Sequence, residues 1–178
     1  MVQTVPCLLP RAVSPLPEVM MSQPANGRIR TLVVDDDWLL RRATSMLLQH
    51  EPDIQVVGTA KDGAGALEKI QALHPDLVVT DLGMPDMGGL ELAFLMRRRF
   101  PALGIVVVGT VQEPEIKDLG GFCGVDVLMN KALLPAKLPA VVRMVFATRK
   151  RLGESRPRAV VTQDLGGLQN AIAFGPTP

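Results

Sequence analysis

Leu77-Val78-Val79-Thr80-Asp81-Leu82-Gly83-Met84-Pro85 organises the whole chain. A short apolar run ends in a carboxylate, and a Gly-Met-Pro turn stops the strand there. Two other apolar runs end in charge. Leu32-Val33-Val34 leads into Asp35-Asp36-Asp37, and Val125 to Met129 stops just short of Lys131. Parallel strands of one sheet bring such ends together at a single edge, the edge where open α/β folds bind ligands.

The rest of the pattern supplies that sheet. Ile29 to Val34, Ile54 to Ala60, Leu77 to Thr80, Ile105 to Val108 and Val125 to Met129 are strand-like and mostly apolar throughout. Helical spacing intervenes. Trp38 to Gln49 places Leu40, Ala43 and Leu47 on one face, with Arg41 and Arg42 turned away. Ala64 to Leu73 aligns Leu67, Ile70 and Leu73 ahead of Pro75, and Leu90 to Arg99 aligns Leu90, Ala93, Phe94 and Arg97. Glu113 to Leu119 is a poor helix, cut by Gly120-Gly121, and Ala136 to Leu152 closes the series. Pro139 is tolerable there only in a first turn. The expected fold is α/β: a flavodoxin-like, doubly wound, five-stranded parallel sheet of order 2-1-3-4-5 with five helices.

The chain has 178 residues, 47% of them hydrophobic and 21% charged, with a net charge of +1. That suits one domain of about residues 28–148. Residues 1–27 are Pro-rich and without periodicity, and are expected to be disordered or mis-started, with translation beginning at Met20 or Met21. Residues 149–178 are expected to form a mostly disordered tail, in which Val160 to Ala173 could hold one short helix. Near-neutral charge argues against nucleic-acid binding. The apolar runs are too short for a membrane span, and two cysteines without metal or redox spacing fit a cytoplasmic protein.

Each charged group alone has an ordinary explanation. Asp35-Asp36-Asp37 could cap a helix, Asp81 could serve a turn, and Lys131 could lie in solvent. Jointly they demand more. Two carboxylates ~4 Å apart repel by about 1 kcal/mol in water and about 4 kcal/mol at an effective dielectric of ~20. Lys131 supplies one positive charge, and Mg²⁺ suits the remainder.

These segments resemble a response-regulator receiver domain. The resemblance rests on Val33 to Asp37, on Pro75 to Pro85, and on Gly88-Gly89-Leu90-Glu91-Leu92. Val57 to Gly63, Ala66-Leu67, Gly124-Val125-Asp126 and Lys131 add to it. It spans about Arg28 to Thr148 and is most similar to receivers that precede helix-turn-helix output domains, here standing alone. By this resemblance Asp81 is the phosphoacceptor. Asp35 and Asp36 hold Mg²⁺, with Asp36 the more direct ligand, and Gly83 offers a carbonyl to the metal. Lys131 holds the phosphoryl oxygens, and Asp37 starts a helix. The implied donor is a histidine kinase, a phosphotransfer protein or a small donor such as acetyl phosphate. Output passes by contact to an unknown downstream protein, or through a homodimer. The domain would be no enzyme beyond its own phosphorylation and dephosphorylation.

The match is imperfect at the switch positions. The fourth-strand Ser or Thr of the family falls on Gly109, beside Thr110, and its fifth-strand aromatic falls on Leu128. Ala132 follows Lys131 where many receivers have proline. Phosphorylation chemistry is therefore expected to survive while the usual relay is weakened. A phosphorylation-independent interaction module is the alternative. A haloacid-dehalogenase-like phosphatase using Asp35-x-Asp37 lacks a late acidic pair and gives Asp81 no role.

Overall fold

A computed structural model describes residues 27–110 and 124–152, and two short strands at 160–161 and 172–173. The strands are β1 (Ile29–Val34), β2 (Ile54–Ala60), β3 (Leu77–Asp81), β4 (Gly104–Gly109), β5 (Val127–Asn130), β6 (Val160–Val161) and β7 (Ile172–Ala173). The helices among the described residues are α1 (Trp38–Gln49), α2 (Gly63–Leu73), α3 (Gly89–Arg99) and α4 (Leu134–Leu152). A 3-10 turn, Lys131–Leu133, leads into α4.

Strand order is β2-β1-β3-β4-β5-β6-β7, with β1 to β5 parallel in the 2-1-3-4-5 arrangement that the sequence implies. β6 adds to β5 in parallel, and β7 pairs with β6 antiparallel. These two strands stand where the sequence suggested one short helix. The β-branched Val160-Val161 and Ile172 favour a pleated strand. The weak helix expected at Glu113 to Leu119, and the rest of both tails, lie outside the described residues.

Two apolar layers sandwich the sheet. On one side Ala66, Ile70, Leu92, Ala93 and Met96 of α2 and α3 pack on Leu32, Val78, Ile105 and Val107. On the other, Leu48 of α1 and Leu138, Val141, Val142 and Val145 of α4 pack on Val33, Val79, Val106 and Val127. Strands buried on both faces explain their unbroken apolar character.

Several helix faces differ from the expected ones. In α1 the buried residues are Thr44, Ser45 and Leu48, while Leu40 and Ala43 face solvent. This helix carries apolar side chains on more than one side, so spacing alone could not select the packed one. In α3 Leu92, Ala93 and Met96 are buried and Phe94 is exposed. Phe94 lies instead under the Arg98 guanidinium, 5.7 Å from its ring centroid. Pro139 falls inside α4 rather than in its first turn, because the 3-10 turn starts the helix at Leu134.

Buried charge ties the far end together. Asp126 accepts from Arg97 Nη2 and Arg149 Nε, each at 3.0 Å, and from Ile105 N at 2.8 Å. Arg97 also donates to Gly124 O and Leu103 O. One carboxylate thus anchors α3, α4 and the approach to β5.

Candidate functional site

Parallel register builds the site. Val34 pairs with Thr80, so Asp35 and Asp81 emerge side by side from β1 and β3. Asp81 pairs with Val108, and Gly109 with Asn130, which places Lys131 one residue past the same edge. Asp35 and Asp81 are buried, Asp36 is exposed, and Lys131 keeps about a quarter of its side chain (24%) in solvent.

The three carboxylates converge. Asp35, Asp36 and Asp81 each bring one oxygen within 4.8 Å of the others. Lys131 Nζ lies 2.7 Å from Asp81 Oδ1 and 3.8 Å from Asp35 Oδ2. Lys131 therefore offsets only part of the negative charge. Burial pushes the Asp35 carboxyl above its usual range. Lys131 and the Asp37 N–H oppose that rise, and Asp81 and Asp36 add to it. Burial disfavours the Lys131 ammonium, but its hydrogen bond to Asp81 and the charges of Asp35, Asp81 and Asp36 raise its pKa on balance. A compact set of carboxylate oxygens with excess negative charge fits a hard divalent cation.

Local devices hold the acidic loop. Asp37 caps α1, its Oδ1 accepting from Leu39 N at 2.8 Å and Leu40 N at 3.3 Å. Asp35 Oδ1 accepts from Asp37 N at 2.9 Å. Arg41, expected to turn away, reaches back instead: its Nη1 donates to Asp35 O at 2.5 Å and contacts Asp36 O at 3.4 Å. A guanidinium one turn into α1 is thus clamped on the backbone of both acids. Helical spacing gave no signal for this, because a long polar side chain can fold back along the helix toward its start.

On the β3 side, Gly83 flanks Asp81, for a β-carbon there would stand 3.7 Å from Asp81 Oδ2. Gly89 opens α3 directly against the backbone of Asp81. A β-carbon at 89 would lie 2.1 Å from Asp81 O, so only glycine lets the helix start there.

The residues expected at the switch positions differ in their surroundings. Gly109 is buried at the end of β4, Thr110 is exposed, and Leu128 is buried within β5. A β-carbon on Gly109 would lie 2.7 Å from Leu82 Cβ and 2.8 Å from Leu82 Cδ2. Leu82 occupies the space that a hydroxyl-bearing side chain at 109 would need.

Residues 31–143 match the family described as the response regulator receiver domain. The chain belongs to this family. Over 122 residues it is 34% identical to the response regulator GacA of Pseudomonas viridiflava, covering 68% of this chain and 57% of that protein. It is 45% identical over 85 residues to a protein-glutamate methylesterase/protein-glutamine glutaminase of a Nocardioides species, covering 48% of this chain but 23% of that protein. The chain thus spans less than two thirds of the length of either relative. The response regulator domain of Thermotoga maritima CheB superposes with a TM-score of 0.62 at 29% identity, covering 67% of this chain and 97% of that one. The signal receiver domain of Mycobacterium tuberculosis NarL gives 0.60 at 28% identity, covering 69% and 97%. This is a receiver domain of two-component signalling. Among the described residues, no helix is long and apolar enough to cross a membrane.

Proposed function

We propose that Asp81 accepts a phosphoryl group from the phosphohistidine of a histidine kinase or phosphotransfer protein, or from acetyl phosphate, in a Mg²⁺-dependent reaction. One observation carries the reading: Lys131 Nζ sits 2.7 Å from Asp81 Oδ1 beside a cluster that includes Asp35 and Asp36. An Asp81 carboxylate oxygen attacks phosphorus, the bond to the donor nitrogen or oxygen breaks, and its electron pair leaves with imidazole or acetate. Lys131 follows the charge onto the phosphoryl oxygens. Asp35, Asp36, Asp81 and the Gly83 carbonyl would hold Mg²⁺, which when bound neutralises charge on the incoming group.

The partners are proteins in a cytoplasmic setting. Trp38, Leu39 and Leu40 are exposed at the start of α1, directly beside the acidic loop, and such a patch suits a protein donor. Output passes through protein contact, with a homodimer as one form of it. The domain carries out no chemistry beyond its own phosphorylation and dephosphorylation.

Leu82 packed against the Gly109 position supports a second reading, a module whose contacts do not depend on phosphorylation. A phosphate-affinity gel after acetyl phosphate treatment separates the two. A retarded band that disappears in Asp81→Asn supports the phosphoacceptor. Identical mobility with and without donor supports the passive module.

A further inference from the structure

We propose that Asn130 is a positioning residue for Lys131, an inference that rests on the phosphoacceptor reading above. β5 ends at Asn130, and the chain turns at once into the 3-10 turn that begins with Lys131. A helix start leaves backbone N–H groups without internal partners. Here the Ala132 N–H is taken by Asn130 Oδ1 at 2.9 Å. Asn130 itself keeps extended backbone, at φ −72° and ψ 134°, so its side chain closes the corner over Lys131.

That corner decides where the ammonium goes. Lysine is a compact charge on a flexible stem, and its aim depends on the direction in which its backbone launches it. The turn is three residues long, so few backbone bonds hold it. Its strand side is fixed by the pairing of Gly109 with Asn130, and its far side by α4. The Asn130 carboxamide is the side-chain link between them, beside the backbone bond from Leu134 N to Lys131 O. Ala132 makes this possible, because a proline at that position would have no N–H to donate. Asn130 touches neither Asp81 nor Asp35 in the described contacts. It acts through Lys131.

The test measures the initial rate of Asp81 phosphorylation by acetyl phosphate at fixed Mg²⁺, read by intact mass, with melting curves for each variant. Asn130→Ala should slow the reaction about tenfold, since small misplacement of a charge-stabilising group is costly. Asn130→Gln, whose longer side chain does not close the same turn, should slow it similarly. Asn130→Ser, which caps a helix start as well, should stay within about twofold of wild type. In a Lys131→Met background, Asn130→Ala should add nothing. A wild-type rate in both Asn130→Ala and Asn130→Gln overturns the proposal. Equal slowing on the Lys131→Met background overturns it too, because a purely structural cap would act regardless of the lysine. A wild-type protein that takes no phosphoryl group overturns the acceptor reading itself, and that result is distinct from the other two.

Discussion

Leu82 fills the space beside Gly109 so closely that a β-carbon at 109 would lie 2.7 Å from Leu82 Cβ. The contact involves the root of the leucine as well as its flexible end, so a rotamer change alone does not relieve it. Gly109→Thr should destabilise the domain by about 1–3 kcal/mol, the usual range for overpacking. The cost should be smaller in a Leu82→Gly background, which removes the clashing Cβ, and denaturant melts of the four proteins measure that coupling. Equal cost in both backgrounds would show that Leu82 is not the obstacle.

The same packing leaves no hydroxyl on β4 to meet a phosphoryl group. Amide exchange with and without beryllofluoride should therefore change little across residues 110 to 131. Protection spreading through that whole range would refute a weakened relay and favour an ordinary switch.

Asp126 should dominate stability away from the site. It pairs with Arg149, whose side chain is 7% exposed, and with Arg97 at 18%. Asp126→Ala leaves two largely buried guanidinium groups without that carboxylate, and the expected loss is about 3–5 kcal/mol. Arg143 offers the contrast. It pairs with Asp53 and Glu51 at the surface, and surface pairs contribute about 0–1 kcal/mol. If Arg143→Ala costs as much as Asp126→Ala, the assignment of the anchor is wrong.

Asp35 should give metal binding a pH signature. Its pKa is raised in the fold by burial, so the folded metal-free protein holds this proton more tightly than the unfolded chain. Stability of the metal-free protein from this group is greatest below the unfolded value of ~3.9 and falls as pH rises toward the folded one. Mg²⁺ needs the carboxylate, so its affinity should rise through the same window. Titrations followed by Trp38 fluorescence would record it, the indole standing at the first residue of α1. Asp35→Asn should flatten the pH dependence, and an unchanged profile would remove Asp35 from the metal set.

The strand order and the meeting of Asp35, Asp36, Asp81 and Lys131 were legible because they follow from strand ends and parallel register, which apolar runs record. The packed face of α1 was not, since Leu40, Ala43, Leu47 and Leu48 offer more than one helical stripe. Arg41 and Asn130 were hidden for another reason. Each acts through a hydrogen bond to backbone set by turn geometry, and side-chain polarity alone does not reveal such partners. The Gly109 gap was visible, but its filling by Leu82 depends on a contact between the residue after β3 and the end of β4.

The most direct measurement is intact mass after incubation with acetyl phosphate, in wild type and in Asp81→Asn, with Mg²⁺ or with a chelator. One added phosphoryl group on wild type with Mg²⁺, absent from Asp81→Asn and from the chelated sample, is the predicted result. Modification that persists in Asp81→Asn, or wild type that gains no mass, would contradict the account.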